Sequence, residues 1–219
     1  MGIHKRKERE KEHRKEEILD SAQKVFFDKG FQVATMDEIA DSAELSKGTL
    51  YLYYNSKEDL FLAVMMRGLN ILYELIDGVM NSDRSIVRKL LALEDVYLEF
   101  FESQKNYFRM FYFIQTPQFH KQVSEEMRLS CCALTHKIWE LVIDLLKKGM
   151  DDGLIRSDIN PVEIVIILWS SSTALMLRIN GENPLWKDRM NIDLKHTLKT
   201  SNTLAFEVIL TEKGRTQLS

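Results

Sequence analysis

Apolar residues recur at helical steps of three and four along most of this chain, and no stretch keeps the two-residue alternation of a strand. Ile18, Leu19, Ala22, Val25 and Phe26 predict a first helix from about Lys15, stopped by Gly30 in the place of a left-handed cap. Thr35 opens a second helix, Glu38 completes its capping box, and Ile39, Ala40 and Ala43 form its buried stripe. Ser46 caps a third helix running to about Tyr53, and Ser56 a fourth, with Asp59 in the capping-box position. That fourth helix keeps its apolar spacing from Lys57 to about Met80. Gly68 inside it costs about 1 kcal/mol relative to Ala, which points to a bend or a close helix contact. Further helical patterns cover about 84–103, 106–115, 118–150, 160–179 and 193–210, with Asn180, Gly181, Asn183 and Pro184 read as a loop. The prediction is an all-α protein of about nine helices.

Composition narrows the function more than the fold. With 219 residues and 45% hydrophobic content the chain can bury a sizeable core, but its net charge of −3 supplies no global pull toward nucleic acid. Local charge differs: residues 5–15 hold seven basic and three acidic side chains, either a flexible basic arm or a solvated extension of the first helix. The N-terminus lacks an apolar signal segment, and the adjacent Cys131 and Cys132 lack the geometry of an ordinary disulfide, so the expected compartment is the cytoplasm. The apolar run 162–179 is broken by Glu163, three serines and Arg178, and reads as an interface helix rather than a membrane span.

The second and third helices with their tight turn form a helix-turn-helix, pinned by Ile39 and Leu50, with Ala40 or Ala43 allowing close approach. The third helix is crowded with Ser, Lys, Thr and Tyr, residue types that meet phosphates and base edges, and Gly48 lets its backbone come near DNA. GTLYLYYNSKEDL, preceded by TMDEIA, resembles the N-terminal domain of TetR/AcrR-family transcriptional regulators over about residues 14–61. Gly48, Thr49, Leu50, Tyr51, Tyr53, Tyr54, Ser56, Lys57 and Leu60 fall on the family pattern, and Gly30 and Phe31 match its glycine-aromatic turn. Leu52 departs where many relatives carry a polar or larger aromatic residue, and Tyr54 stands where Phe is commoner.

The resemblance implies a charged arm (1–13), a DNA-binding domain (14–60) and a helical effector-binding and dimerisation domain (61–219). Thr35 and Lys57 would clamp phosphates, while Ser46, Lys47, Gly48, Thr49, Tyr51 and Tyr53 would face the groove. Lys47 is the candidate guanine reader, and Thr49 the candidate contact to a thymine methyl. The implied partners are double-stranded DNA, a second copy of the chain and a lipophilic effector, with no membrane, cofactor or metal. Candidate effector-pocket residues are Tyr97, Phe101, Phe108, Phe111, Tyr112, Gln115, His136 and Trp139, each also readable as ordinary core. Candidate dimer contacts are Ile164, Ile167, Leu168, Ser171, Leu175, Phe206 and Ile209. The implied function is a repressor released by its ligand through movement of the fourth helix. Two rivals stand beside it: a helical effector or dimerisation protein without DNA binding, and a bundle enzyme. The only Glu-x-x-His, Glu10 to His13, falls in the charged arm, which leaves the enzyme reading without a metal-carboxylate core.

Overall fold

The computed structural model describes residues 2–114, 119 and 121–218. Among these residues there are ten helices and no strand: α1 Gly2–Lys29, α2 Met36–Ser42, α3 Lys47–Tyr51, α4 Lys57–Met80, α5 Ile86–Ser103, α6 Lys105–Phe113, α7 Glu125–Asp151, α8 Pro161–Met190, α9 Leu194–Ile209 and α10 Glu212–Arg215. They group into two compact units, residues 1–71 with 104–135, and residues 72–103 with 136–219.

In the first unit, α1 buries Ile18, Leu19, Ala22, Val25 and Phe26, the stripe its spacing predicts. The helix also runs back without interruption to Gly2, so the charged N-terminal segment is a helical extension rather than an irregular arm. Glutamates at i, i+4 from His4 and Arg6 support it. Gly30 ends the helix at φ +76°, where a side chain is disfavoured. Phe26, Phe31 and Phe61 then gather Phe113 of α6 and Phe119, with ring centroids 4.9–6.1 Å apart. Gly68 marks a close contact: a Cβ there would stand 2.6 Å from Cγ of Tyr107. Tyr107 in turn donates its hydroxyl to Gln23 and meets Phe27 edge-on, locking α6 against α1.

The second unit is built around Val87, Leu90, Leu146, Leu154, Ile155, Val165, Phe206, Ile209 and Leu210. Its α8 continues eleven residues past Ile179, through the segment expected to be a loop. Proline inside a helix removes one hydrogen bond, but local ties compensate around Pro184: Glu182 accepts from Arg178 and Trp186, and Asn183 accepts from the backbone of Leu194. The left-handed cap falls instead on Asn191, at φ 52°. The short α10, which the apolar spacing did not announce, seals the end of α7. Gly214 lies so close to the Leu154 carbonyl that a Cβ would come within 2.2 Å of its oxygen.

Candidate nucleic-acid interface

Helices α2 and α3 owe their positions to caps and two pins. The Thr35 hydroxyl accepts from the Glu38 N–H, and the Glu38 carboxylate accepts from the Thr35 N–H, closing the box. Lys29 also reaches that carboxylate at 2.6 Å; its hydrogen bond, then that of Thr35, holds Glu38 below the usual carboxylate range. Ile39 and Leu50 are both fully buried. Between the helices, Glu44 takes a left-handed conformation at φ 54°, a turn position usually given to glycine or asparagine. Apolar spacing carries no signal of it.

Helix α3 spans five residues, and its cap Ser46 does two jobs. Its hydroxyl accepts the Thr49 N–H at 3.1 Å and shares a hydrogen bond with the Thr49 hydroxyl at 2.8 Å. Lys47, Gly48 and Tyr51 are exposed, Thr49 half-buried, and Leu52, at 81% exposure, projects furthest. The ammonium of Lys47 is paired with Asp37 at 2.9 Å, which raises its pKa. Tyr53 lies beyond the helix, which ends two residues earlier than its spacing suggested. Tyr54 is buried, as expected for a packing residue, and burial pushes its hydroxyl up to about 12.

Lys57 takes a different position from the one expected of a phosphate clamp. Its ammonium donates to the carbonyls of Phe31 and Ala34, both at 2.8 Å, and lies 4.4 Å from the centre of the Phe31 ring. In this arrangement it ties the first turn of α4 to the turn after α1. Asp59 is also redirected. Ser56 caps its N–H as predicted, but the buried carboxylate accepts from Ser124 N at 2.7 Å instead of closing a box on Ser56.

The effector and dimer candidates disperse. Tyr97, Phe101, His136 and Trp139 belong to the second unit, whereas Phe108 and Phe111 belong to the first. Phe101 and Phe108 are buried. Tyr97 bonds the Thr173 hydroxyl at 2.8 Å, and burial pushes its pKa up to about 12. Trp139 packs on Trp169 at 5.8 Å. His136 is exposed on α7 and faces Glu140 in solvent. Gln115 lies outside the described residues, as does the side chain of Tyr112. Among the dimer candidates, Ile167 is exposed and Ile164, Leu168, Ser171 and Leu175 are half-buried. Phe206 and Ile209, expected at the dimer contact, are buried in the chain's own core, and their neighbours Leu204 and Val208 carry the open face of α9.

The family model for "Bacterial regulatory proteins, tetR family" matches residues 18–64. The chain is 28% identical over 184 residues to the transcriptional activator FasR of Mycolicibacterium smegmatis, covering 81% of this chain and 78% of FasR. It is 27% identical over 169 residues to the transcriptional repressor KstR2 of the same organism, covering 75% and 78%. Among solved structures, FadR of Thermus thermophilus, a repressor in complex with lauroyl-CoA, superposes with TM-score 0.65 at 25% identity, covering 90% of this chain and 96% of FadR. Residues 18–64 thus carry the helix-turn-helix of the tetR family of bacterial regulatory proteins, and over three quarters or more of its length the chain is similar to HTH-type transcriptional regulators.

Proposed function

We propose that this regulator is a repressor that binds a pseudo-palindromic operator as a homodimer and leaves it when a lipophilic molecule binds. The observation that carries the reading is α3, a capped and pinned helix that offers Lys47, Gly48 and Tyr51 outward beside Ser46 and Thr49. Thr35 supplies a hydroxyl at the start of α2, and helix N-termini favour phosphate there. Such a surface suits a major groove, with residues 14–60 as the reader and 61–219 as the effector-binding and dimerisation part. Two copies would set their recognition helices about 34–36 Å apart, one DNA turn.

The dimer reading rests on α8 and α9. Helix α8 is apolar and long enough, by length and composition alone, to cross a membrane, yet only 22% of its most apolar stretch is buried. Val162, Ile166, Ile167 and Trp169 stand exposed on it, together with Leu204 and Val208 on α9. A partner's equivalent helices would cover this face, and a protein acting on DNA works in the cytoplasm. The lipophilic effector is supported by the lauroyl-CoA held by Thermus FadR and by the aromatic content of α5, α6 and α7.

Mobility shift of the DNA upstream of the chain's own gene, with and without lauroyl-CoA, tests the reading. Retardation by the protein alone, relieved by the acyl thioester, is the expected result. No retardation at low salt by folded protein would overturn it. FasR is an activator, which favours activation as the second reading; a reporter on the same DNA rises with the protein in that case and falls in the first.

A further inference from the structure

Residues 18–64, which carry the family match, contain four lysines against eight acidic residues. Three of those lysines are engaged within the protein: Lys29 with Glu38, Lys47 with Asp37, and Lys57 with two carbonyls. A segment with this balance repels a phosphate backbone, yet most DNA binding draws heavily on Lys and Arg displacing condensed counter-ions. The missing charge lies just upstream. Residues 4–15 hold seven Lys and Arg against three Glu, in a chain whose net charge is −3.

These residues form the first three turns of α1, and residues 4–14 are exposed throughout. Their arrangement is specific. From Val25 toward the N-terminus, the buried face of α1 passes in threes and fours through Ala22 and Ile18, then Arg14, Lys11, Lys7 and His4. Beyond Ile18 this line of positions becomes wholly basic, while the adjacent line through Phe26, Leu19 and Lys15 continues to Glu12 and Glu8. Glu8, Glu10 and Glu12 are taken up in pairs with His4, Arg6 and Lys15. Arg14 pairs with Glu17, whereas Lys7 and Lys11 have no ion pair among the described residues. Two unpaired, hydrated lysines one turn apart do little for the fold, but they present adjacent positive charges to a single phosphate backbone.

We propose that this stripe, centred on Lys7 and Lys11, binds the phosphate backbone of duplex DNA and supplies the main salt-dependent part of the regulator's affinity. The inference rests on the operator-binding reading above. Its test is a salt titration of full-length protein by fluorescence anisotropy, using two duplexes of equal length: one from upstream of the chain's own gene, one of mixed sequence. The variant Lys7→Gln/Lys11→Gln should bind both more weakly and show a log K against log salt slope shallower by about two units, roughly 0.9 for each phosphate no longer neutralised. Its deficit is then about tenfold larger at about 50 mM than at about 200 mM salt. The variant Lys7→Arg/Lys11→Arg should keep the wild-type slope, and circular dichroism should show unchanged helix in both. An unchanged slope in the glutamine variant overturns the inference. A loss confined to the upstream duplex also overturns it, because the stripe would then read bases. Wild-type protein that binds neither duplex overturns the operator-binding reading itself, a separate result.

Discussion

The Asp59 carboxylate, in the first turn of α4, accepts the backbone N–H of Ser124, the residue before α7, at 2.7 Å. Ser56 strengthens the joint by capping the Asp59 N–H while donating its hydroxyl to the Gln122 carbonyl. One turn of α4 therefore fixes the start of a helix 65 residues away. Lys57, in the same turn, holds the carbonyls of Phe31 and Ala34.

Replacing Asp59 with Ala removes the acceptor and leaves the Ser124 N–H unpaired, with an expected loss of about 1–3 kcal/mol in urea unfolding. Asp59→Asn retains an acceptor oxygen and should lose less. Equal stability of Asp59→Ala and wild type would show that the bond contributes nothing.

Lys57→Ala separates a structural tie from a phosphate clamp. Loss of two charge-assisted hydrogen bonds should lower stability by about 1.5–3 kcal/mol and weaken DNA binding by disordering the α1–α2 turn, without changing its salt slope. A phosphate clamp would instead make the slope shallower by about 0.9. Denaturation and the salt titration together decide between them.

Gly68→Ala reverses the usual helical gain. Alanine ordinarily gains about 1 kcal/mol over glycine in a helix, but here its Cβ meets the Tyr107 ring at 2.6 Å, and overpacking costs about 1–3 kcal/mol. A net loss is expected in the wild-type background. With Tyr107→Leu already present, the same substitution should be neutral or stabilising by thermal unfolding.

Acid should weaken the helix-turn-helix through Glu38. Its carboxyl titrates below the ordinary 4.5 because Lys29, then the Thr35 N–H, favour the charged form. A depressed folded value adds stability that is present above the ordinary value and lost as pH falls through the lowered one. The stability gap between wild type and Glu38→Gln should therefore be widest at neutral pH and close in acid. A gap that persists at low pH would assign the contribution to packing instead.

Local features of this fold were legible because their causes are local. The Thr35–Glu38 box, the Ser46 and Ser56 caps and the Gly30 stop each act within four residues, so spacing announces them. Ile39 and Leu50 follow from apolar period alone. The Asp59 partner does not, since Ser124 reaches it only through the fold. Nor does the choice of face on α9, where Phe206 and Ile209 are as apolar as Leu204 and Val208 and tertiary packing alone decides which pair turns inward. Pro184 misled for a similar reason: a proline reads as a break unless the hydrogen bonds around it, Trp186 to Glu182 and Leu194 to Asn183, are known.

The brevity of α3 has a consequence for how this protein can change. A helix of five residues is far too short to hold itself together in water; it persists because Ser46 caps it and Leu50 is sunk beneath it. Lys47, Gly48, Tyr51 and Leu52 contribute little to that anchorage, so they can be exchanged with small effect on folding. The anchoring and the variable positions alternate along a single turn and a half. On the operator-binding role proposed for α3, new preferences are thus open to this scaffold one substitution at a time, without passing through unfolded intermediates in sequence space.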